Sequence, residues 1–243
     1  MITDSWLAFG LLAVAGVGWW WAAVSARDMA SGMGMSGSMR AMSLTGFLVA
    51  WVAMMAAMML PAILPVVRLY ARAAARGTVA PLAVFVAGYG AVWSALGVPV
   101  FFLWRRFDEG LAHATLAAGR IAGVVLIAAA AYQLSPLKSV CLRHCRSPIA
   151  FFMQHGKNLQ RTRGALALGA RHGLYCLGCC WMLMAVLVAF GTMQLGWMAA
   201  LALLILLEKV TPIGEGVARV AGVVFLGFGV TLLVHPATIS GLI

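Results

Sequence analysis

A chain of 243 residues that is 64% hydrophobic and only 9% charged is excluded from the soluble globular class. Its formal charge of +11 is not a nucleic-acid footprint. The Lys and Arg residues sit almost wholly between apolar runs, where such residues set topology and meet anionic headgroups. Runs of about 20 apolar residues are long enough to cross a bilayer as helices, and the alternation of an outer-membrane barrel is absent. The expected class is all-α: a polytopic transmembrane helical bundle in which residues 1–243 form one integral membrane domain.

Seven spans are predicted: Trp6–Val24, Leu44–Val67, Leu82–Leu103, Leu116–Leu134, Gly173–Phe190, Met193–Leu207 and Val217–Val234. Val24-Ser25-Ala26 resembles a signal cleavage site. Against cleavage, Met1–Ser5 carries Asp4 and no Lys or Arg, and the apolar run exceeds a usual signal core. A retained anchor is favoured.

The following connection, Arg27–Met42, holds Gly32, Gly34 and Gly37 and is expected to be a flexible outer loop. It also carries Met29, Met33, Met35, Met39 and Met42. In a core, methionine fills gaps; a polar loop has none to fill. Thioether sulfur selects Cu(I), so a Cu(I)-capturing loop is the sharper reading. Membrane-surface contact and chance are the alternatives. The second span continues with Met54, Met55, Met58 and Met59, paired one helical turn apart, before Pro61 and Pro65. A packing face and a thioether ladder along an ion path weigh evenly for this run.

In the third and fourth spans Gly88, Gly90 and Gly97 are expected to bring helices close. Asp108, Glu109 and His113 read as interfacial charge. The long connection 135–163 has a C-x₂-H-C core of Cys141, His144 and Cys145. Two thiolates and an imidazole can fill half or more of a zinc or Cu(I) site. Neighbouring Lys138, Arg143 and Arg146 are expected to lower the thiol pKa values. Phe151 to Met153, followed by Lys157, Arg161 and Arg163, reads as an amphipathic surface helix, with His155 ambiguous.

The stretch Arg171–Trp181 leads into the fifth span, which has an alternative start near Gly164. On a helix His172, Cys176, Cys179 and Cys180 fall within an arc of about 100°. One imidazole and three thiols on one face suit a soft or borderline metal, copper as Cu(I) first and zinc second. The sixth span has an alternative end at Glu208. That residue is either an interfacial partner of Lys209 or a functional group and metal ligand, since a carboxylate there opposes the helix dipole. His235 reads as a solvated end residue.

With the N-terminus inside, the inner connections and adjoining helix ends hold Arg68, Arg72, Arg76, Lys138, Arg143, Arg146, Lys157, Arg161, Arg163, Arg171, Lys209 and Arg219. The outer side holds Arg27, Arg40, Arg105, Arg106 and Arg120. The positive-inside rule therefore places the N-terminus in the cytoplasm and, with seven spans, the C-terminus outside.

Several of these motifs together resemble a bacterial predicted metal-binding integral membrane protein family, the domain of unknown function 2182. The residues that carry the resemblance are Tyr132-Gln133, Leu137-Lys138, Cys141-Leu142, Cys145-Arg146-Ser147-Pro148, Gly169, Arg171 to Trp181 and Glu208-Lys209. Trp51, Met54 and Ala57-Met58-Met59-Leu60-Pro61 fit it as well. The resemblance implies metal binding and names no reaction.

The leading functional expectation is Cu(I) binding and transfer or uptake across the membrane, from the Met loop through Met54–Met59 to the Cys/His sites. A metallochaperone or metalloenzyme acceptor would be the partner. The alternatives are a structural metal site in an assembly factor and a thiol–disulfide relay through the C-x₂-C of Cys176 and Cys179. A serine nucleophile elbow, a Walker loop, a Rossmann fingerprint and paired catalytic carboxylates are all absent, so neither a hydrolase nor an ATP-driven pump is supported.

Overall fold

The computed structural model describes residues 2–30, 43–111, 115–156, 158–190 and 195–237. The side chains of 2–8, 25, 26, 28–30, 104, 106–111 and 115 lie outside that description. Met33, Met35, Met39, Met42 and His113 therefore fall outside it, as does the side chain of Met29. The described residues form helices without strands: α1 (Ile2–Ala30), α2 (Leu44–Ala75), α3 (Leu82–Leu111), α4 (Thr115–Gln133), α5 (Pro136–Arg146), α6 (Pro148–His155), α7 (Thr162–Phe190), α8 (Leu195–Val210) and α9 (Gly214–Val234).

Five of these, within α2, α3, α4, α7 and α9, are long and apolar enough to cross a membrane. Among the described residues five such helices stand against the seven spans expected. The described side chains of α1 contain the apolar stretch Phe9–Val24. The described part of α8 has 16 residues, a rise of about 24 Å. The fifth predicted span takes its earlier start, at Thr162.

Local sequence explains the helix ends. Ser43 caps α2 by accepting from the Gly46 amide at 3.1 Å. α2 then runs unbroken through Pro61 and Pro65 and stops before Gly77, whose φ of +68° favours glycine. Ser135 caps α5, with Pro136 preset at its first turn.

Glycines set the tightest helix crossings. A Cβ on Gly88 would sit 2.1 Å from the Leu166 carbonyl oxygen, and one on Gly169 would sit 2.0 Å from that of Phe85. α3 and α7 therefore touch backbone to backbone. Gly123 and Gly229 play the same part between α4 and α9. Gly97 makes room for Leu48 and Trp51 of α2. Gly90 does not share this role, for nothing lies within 4 Å of its Cβ position. α1 lies along α2, with Gly18 against Ala53 and Ala57 and the Trp19 indole donating to the Ala57 carbonyl.

The helices alternate in direction, so one end of the bundle gathers the C-terminal ends of α2, α4 and α8 with the N-terminal ends of α3, α7 and α9. Tyr70 stacks on Phe85 there, and Phe85 lies beside His172. Segment 135–163, expected as a connection with one surface helix, folds into the two short helices α5 and α6 against this end. α5 buries Lys138, Leu142 and Cys145, a spacing of four and three that defines one helix face. The Arg146 guanidinium donates to the Thr211 and Pro212 carbonyls at 2.6 and 2.8 Å, tying α5 to the turn between α8 and α9.

Candidate metal centre

The helical spacing of α7 turns His172, Cys176, Cys179 and Cys180 into the bundle, each at most 1% exposed. Cys145, on the inner face of α5, points at the same region. Its Sγ lies 3.9 Å from Cys179 Sγ. Two thiols from elements far apart in sequence thus meet, and the thiols are not splayed toward lipid. All five cysteines are free. The thiols of Cys179 and Cys180 also donate back to the Cys176 carbonyl, at 3.1 and 2.9 Å.

Cys176 Sγ is contacted by the Tyr89 hydroxyl at 3.1 Å and by Lys209 Nζ at 2.9 Å. Lys209 Nζ also lies 4.0 Å from Met59 Sδ. The lysine was expected only as the partner of Glu208, and its place among the sulfurs was missed. A usable signal existed. Adjacent helical residues point about 100° apart, which separates the directions of Glu208 and Lys209 without naming the partner of either.

Glu208 belongs to a second buried group. Its carboxylate accepts from Gln133 Nε2 at 2.8 Å and from Lys138 Nζ at 2.7 Å. Lys138 also donates to Gln133 Oε1. Both oxygens of Glu208 are engaged by α4 and α5 and neither by a thiol. Its partner is Lys138, and the expected pairing with Lys209 is corrected.

The C-x₂-H-C segment does not converge on one point. Cys141 faces Gly178, where an added Cβ would meet its Sγ at 2.8 Å. His144 stacks flat on Tyr175, with centroids 4.4 Å apart, and bonds through Nδ1 to the Val140 carbonyl. His155 pairs through Nδ1 with the Phe151 carbonyl. His172 is packed edge-on against Phe151, and its buried Nδ1 has no hydrogen-bond partner. Met54, Met55, Met58 and Met59 are all buried in the core, and Met59 alone of the four has a sulfur contact with the lysine described above. Among the described residues no group of three or more His, Cys, Asp or Glu side chains is placed to hold a metal ion.

The expected acidification of the α5 thiols is also corrected. The hydrogen bond with Cys179, then burial, pushes the Cys145 thiol well above the ordinary range. Burial, then the charge of Cys179, pushes up Cys141. The nearby cations serve elsewhere: Lys138 on Glu208, Arg146 on two carbonyls, and Arg143 on the Ser139 carbonyl and Glu215.

The segments that carry this geometry, from α2 to the end of α9, coincide with a match to one family. No curated protein and no solved structure matches the chain. A family model described as a copper chaperone, PpoB2, matches residues 48–232. That range takes in every thiol, both buried lysines and the Met54–Met59 run. It supports the metal-handling resemblance and directs it to copper, under a description other than domain of unknown function 2182. Because the match covers well over half of the sequence, the chain belongs to the PpoB2 copper chaperone family.

Proposed function

We propose that this membrane protein carries Cu(I) on a two-thiolate site made by Cys145 of α5 and Cys179 of α7, and hands it to a copper-requiring acceptor. The observation that carries the reading is the 3.9 Å approach of those two sulfurs. A metal–thiolate bond is about 2.3 Å, so one ion can reach both sulfurs with little movement. Soft thiolates favour Cu(I), which accepts two ligands. A structural zinc site needs four, and the described residues do not gather even three.

Cys176, Cys180 and His172 flank the pair as exchange ligands. Cys141 and His144, both half-buried, form the water-facing approach through which copper enters or leaves. The loop methionines Met29, Met33, Met35 and Met39 and the run Met54–Met59 would feed the site from the opposite side of an inner membrane. In that arrangement α1 and α8 complete seven spans, the N-terminus is cytoplasmic, and neutral thioethers precede anionic thiolates along the path. Glu208 then acts as a structural anchor.

The test is Cu(I) loading of protein purified metal-free in detergent, with a chromophoric Cu(I) chelator as competitor. Wild type is expected to retain one Cu(I) per chain, and Cys145→Ser with Cys179→Ser to lose it. Equal copper content in both proteins refutes the proposal.

A further inference from the structure

Lys209 is 6% exposed, and its ammonium has sulfur for company. The ammonium contacts Cys176 Sγ at 2.9 Å and Met59 Sδ at 4.0 Å. Among the described residues no carboxylate pairs with it, because its neighbour Glu208 is turned to Lys138 and Gln133. It also lies within electrostatic reach of Cys145, Cys179 and Cys180. A buried cation without a carboxylate is costly. Its position is explained if the negative charge it answers belongs to the sulfur cluster.

We propose that Lys209 is the fixed counter-cation of the thiol site and makes that site select a monovalent over a divalent metal ion. This rests on the copper-carrying reading above. When two thiols release their protons to water and bind Cu(I), the complex carries one negative charge, which the ammonium neutralises. The same two thiolates around Zn²⁺ are already neutral. The ammonium is then left as an uncompensated buried charge next to a divalent ion, and zinc is disfavoured. Charge balance, rather than ligand number alone, thus sets the preference. The flexible lysine stem lets the ammonium stay beside the sulfurs without occupying the metal's own position.

The experiment compares wild type, Lys209→Met, Lys209→Gln, Lys209→Arg and the Cys145→Ser/Cys179→Ser protein, all metal-free in detergent. Cu(I) and Zn²⁺ affinities are read by chelator competition. Removing the cation is expected to weaken Cu(I) binding by about tenfold or more, the scale of one partly buried charge pair. Zn²⁺ binding should hold or strengthen, and Lys209→Arg should stay close to wild type. Lys209→Met replaces a buried charge by an apolar side chain of similar length, and Lys209→Gln gives the same reading should the first variant not fold. Unchanged Cu(I) affinity in either neutral variant overturns the inference, as does an equal loss of copper and zinc. If copper binding proves independent of Cys145 and Cys179, the copper-carrying reading fails first and takes this one with it. Cysteine-dependent copper binding that ignores Lys209 removes this inference alone.

Discussion

Replacing Glu208 by Gln separates two roles for this carboxylate. Glu208 and Lys138 meet at 2.7 Å, with side chains only 2% and 1% exposed. Removing one member of a buried, hydrogen-bonded ion pair strands the other charge, at a cost of about 3–5 kcal/mol. The amide of Glu208→Gln still accepts a hydrogen bond, so the lower end, about 3 kcal/mol, is expected. The double variant Lys138→Met/Glu208→Leu removes both charges and leaves Gln133 short of partners. Its expected loss is about 1–3 kcal/mol, smaller than that of a stranded lysine. The assay is SDS-induced unfolding in mixed micelles, followed by the fluorescence of the nine tryptophans. The folded fraction of Glu208→Gln should keep its copper. The reasoning is refuted if Glu208→Gln is as stable as wild type and loses copper instead, for the carboxylate would then be a ligand.

Two further outcomes follow from glycine spacing and thiol burial. Gly169→Ala places a Cβ 2.0 Å from the Phe85 carbonyl oxygen and should destabilise by about 1–3 kcal/mol in the same unfolding assay. Gly90→Ala, with nothing within 4 Å, should be neutral or gain about 0.5–1 kcal/mol from helix propensity; equal effects at the two sites would contradict the backbone contact. Because burial and the charge of Cys179 raise the Cys141 pKa, less of its thiol is ionised at about pH 8 than in a free cysteine. Iodoacetamide labelling of its peptide, read by mass spectrometry, should lag glutathione there and climb at higher pH. Labelling faster than glutathione at about pH 7.5 would show that the basic neighbours win after all.

The helical membrane class was legible because it rests on run length and backbone satisfaction, which need no knowledge of partners. The sulfur face of α7 was legible for a similar reason: helix periodicity alone puts His172, Cys176, Cys179 and Cys180 together. The helix α5 was partly legible. Ser135-Pro136 is a helix start, and Lys138, Leu142 and Cys145 recur at helical spacing. Grouping Cys141, His144 and Cys145 as one ligand set hid that pattern, because it treated proximity in sequence as convergence in space. On α5 the three share one arc of about 100°, yet each meets a different residue of α7, Gly178, Tyr175 and Cys179 in turn.

Long-range charge pairing was not legible, and Glu208-Lys209 shows why. Read as neighbours, the two residues cancel and need no explanation. On α8 they diverge, the glutamate toward a lysine 70 positions earlier and the lysine toward a cysteine 33 positions earlier. Each lysine then meets a different kind of partner, a carboxylate for one and a sulfur for the other. Lys138, paired with the Glu208 carboxylate at 2.7 Å, fastens α5 to the bundle. Lys209 is paired with sulfur, a group that, on the proposed reading, gains and loses charge as metal arrives and leaves. One dipeptide thus supplies both the partner of Lys138 and, on the copper-carrying reading proposed above, the cation that answers the metal-bound thiolates. Neither role can be assigned until the bundle has brought α5, α7 and α8 to the same end.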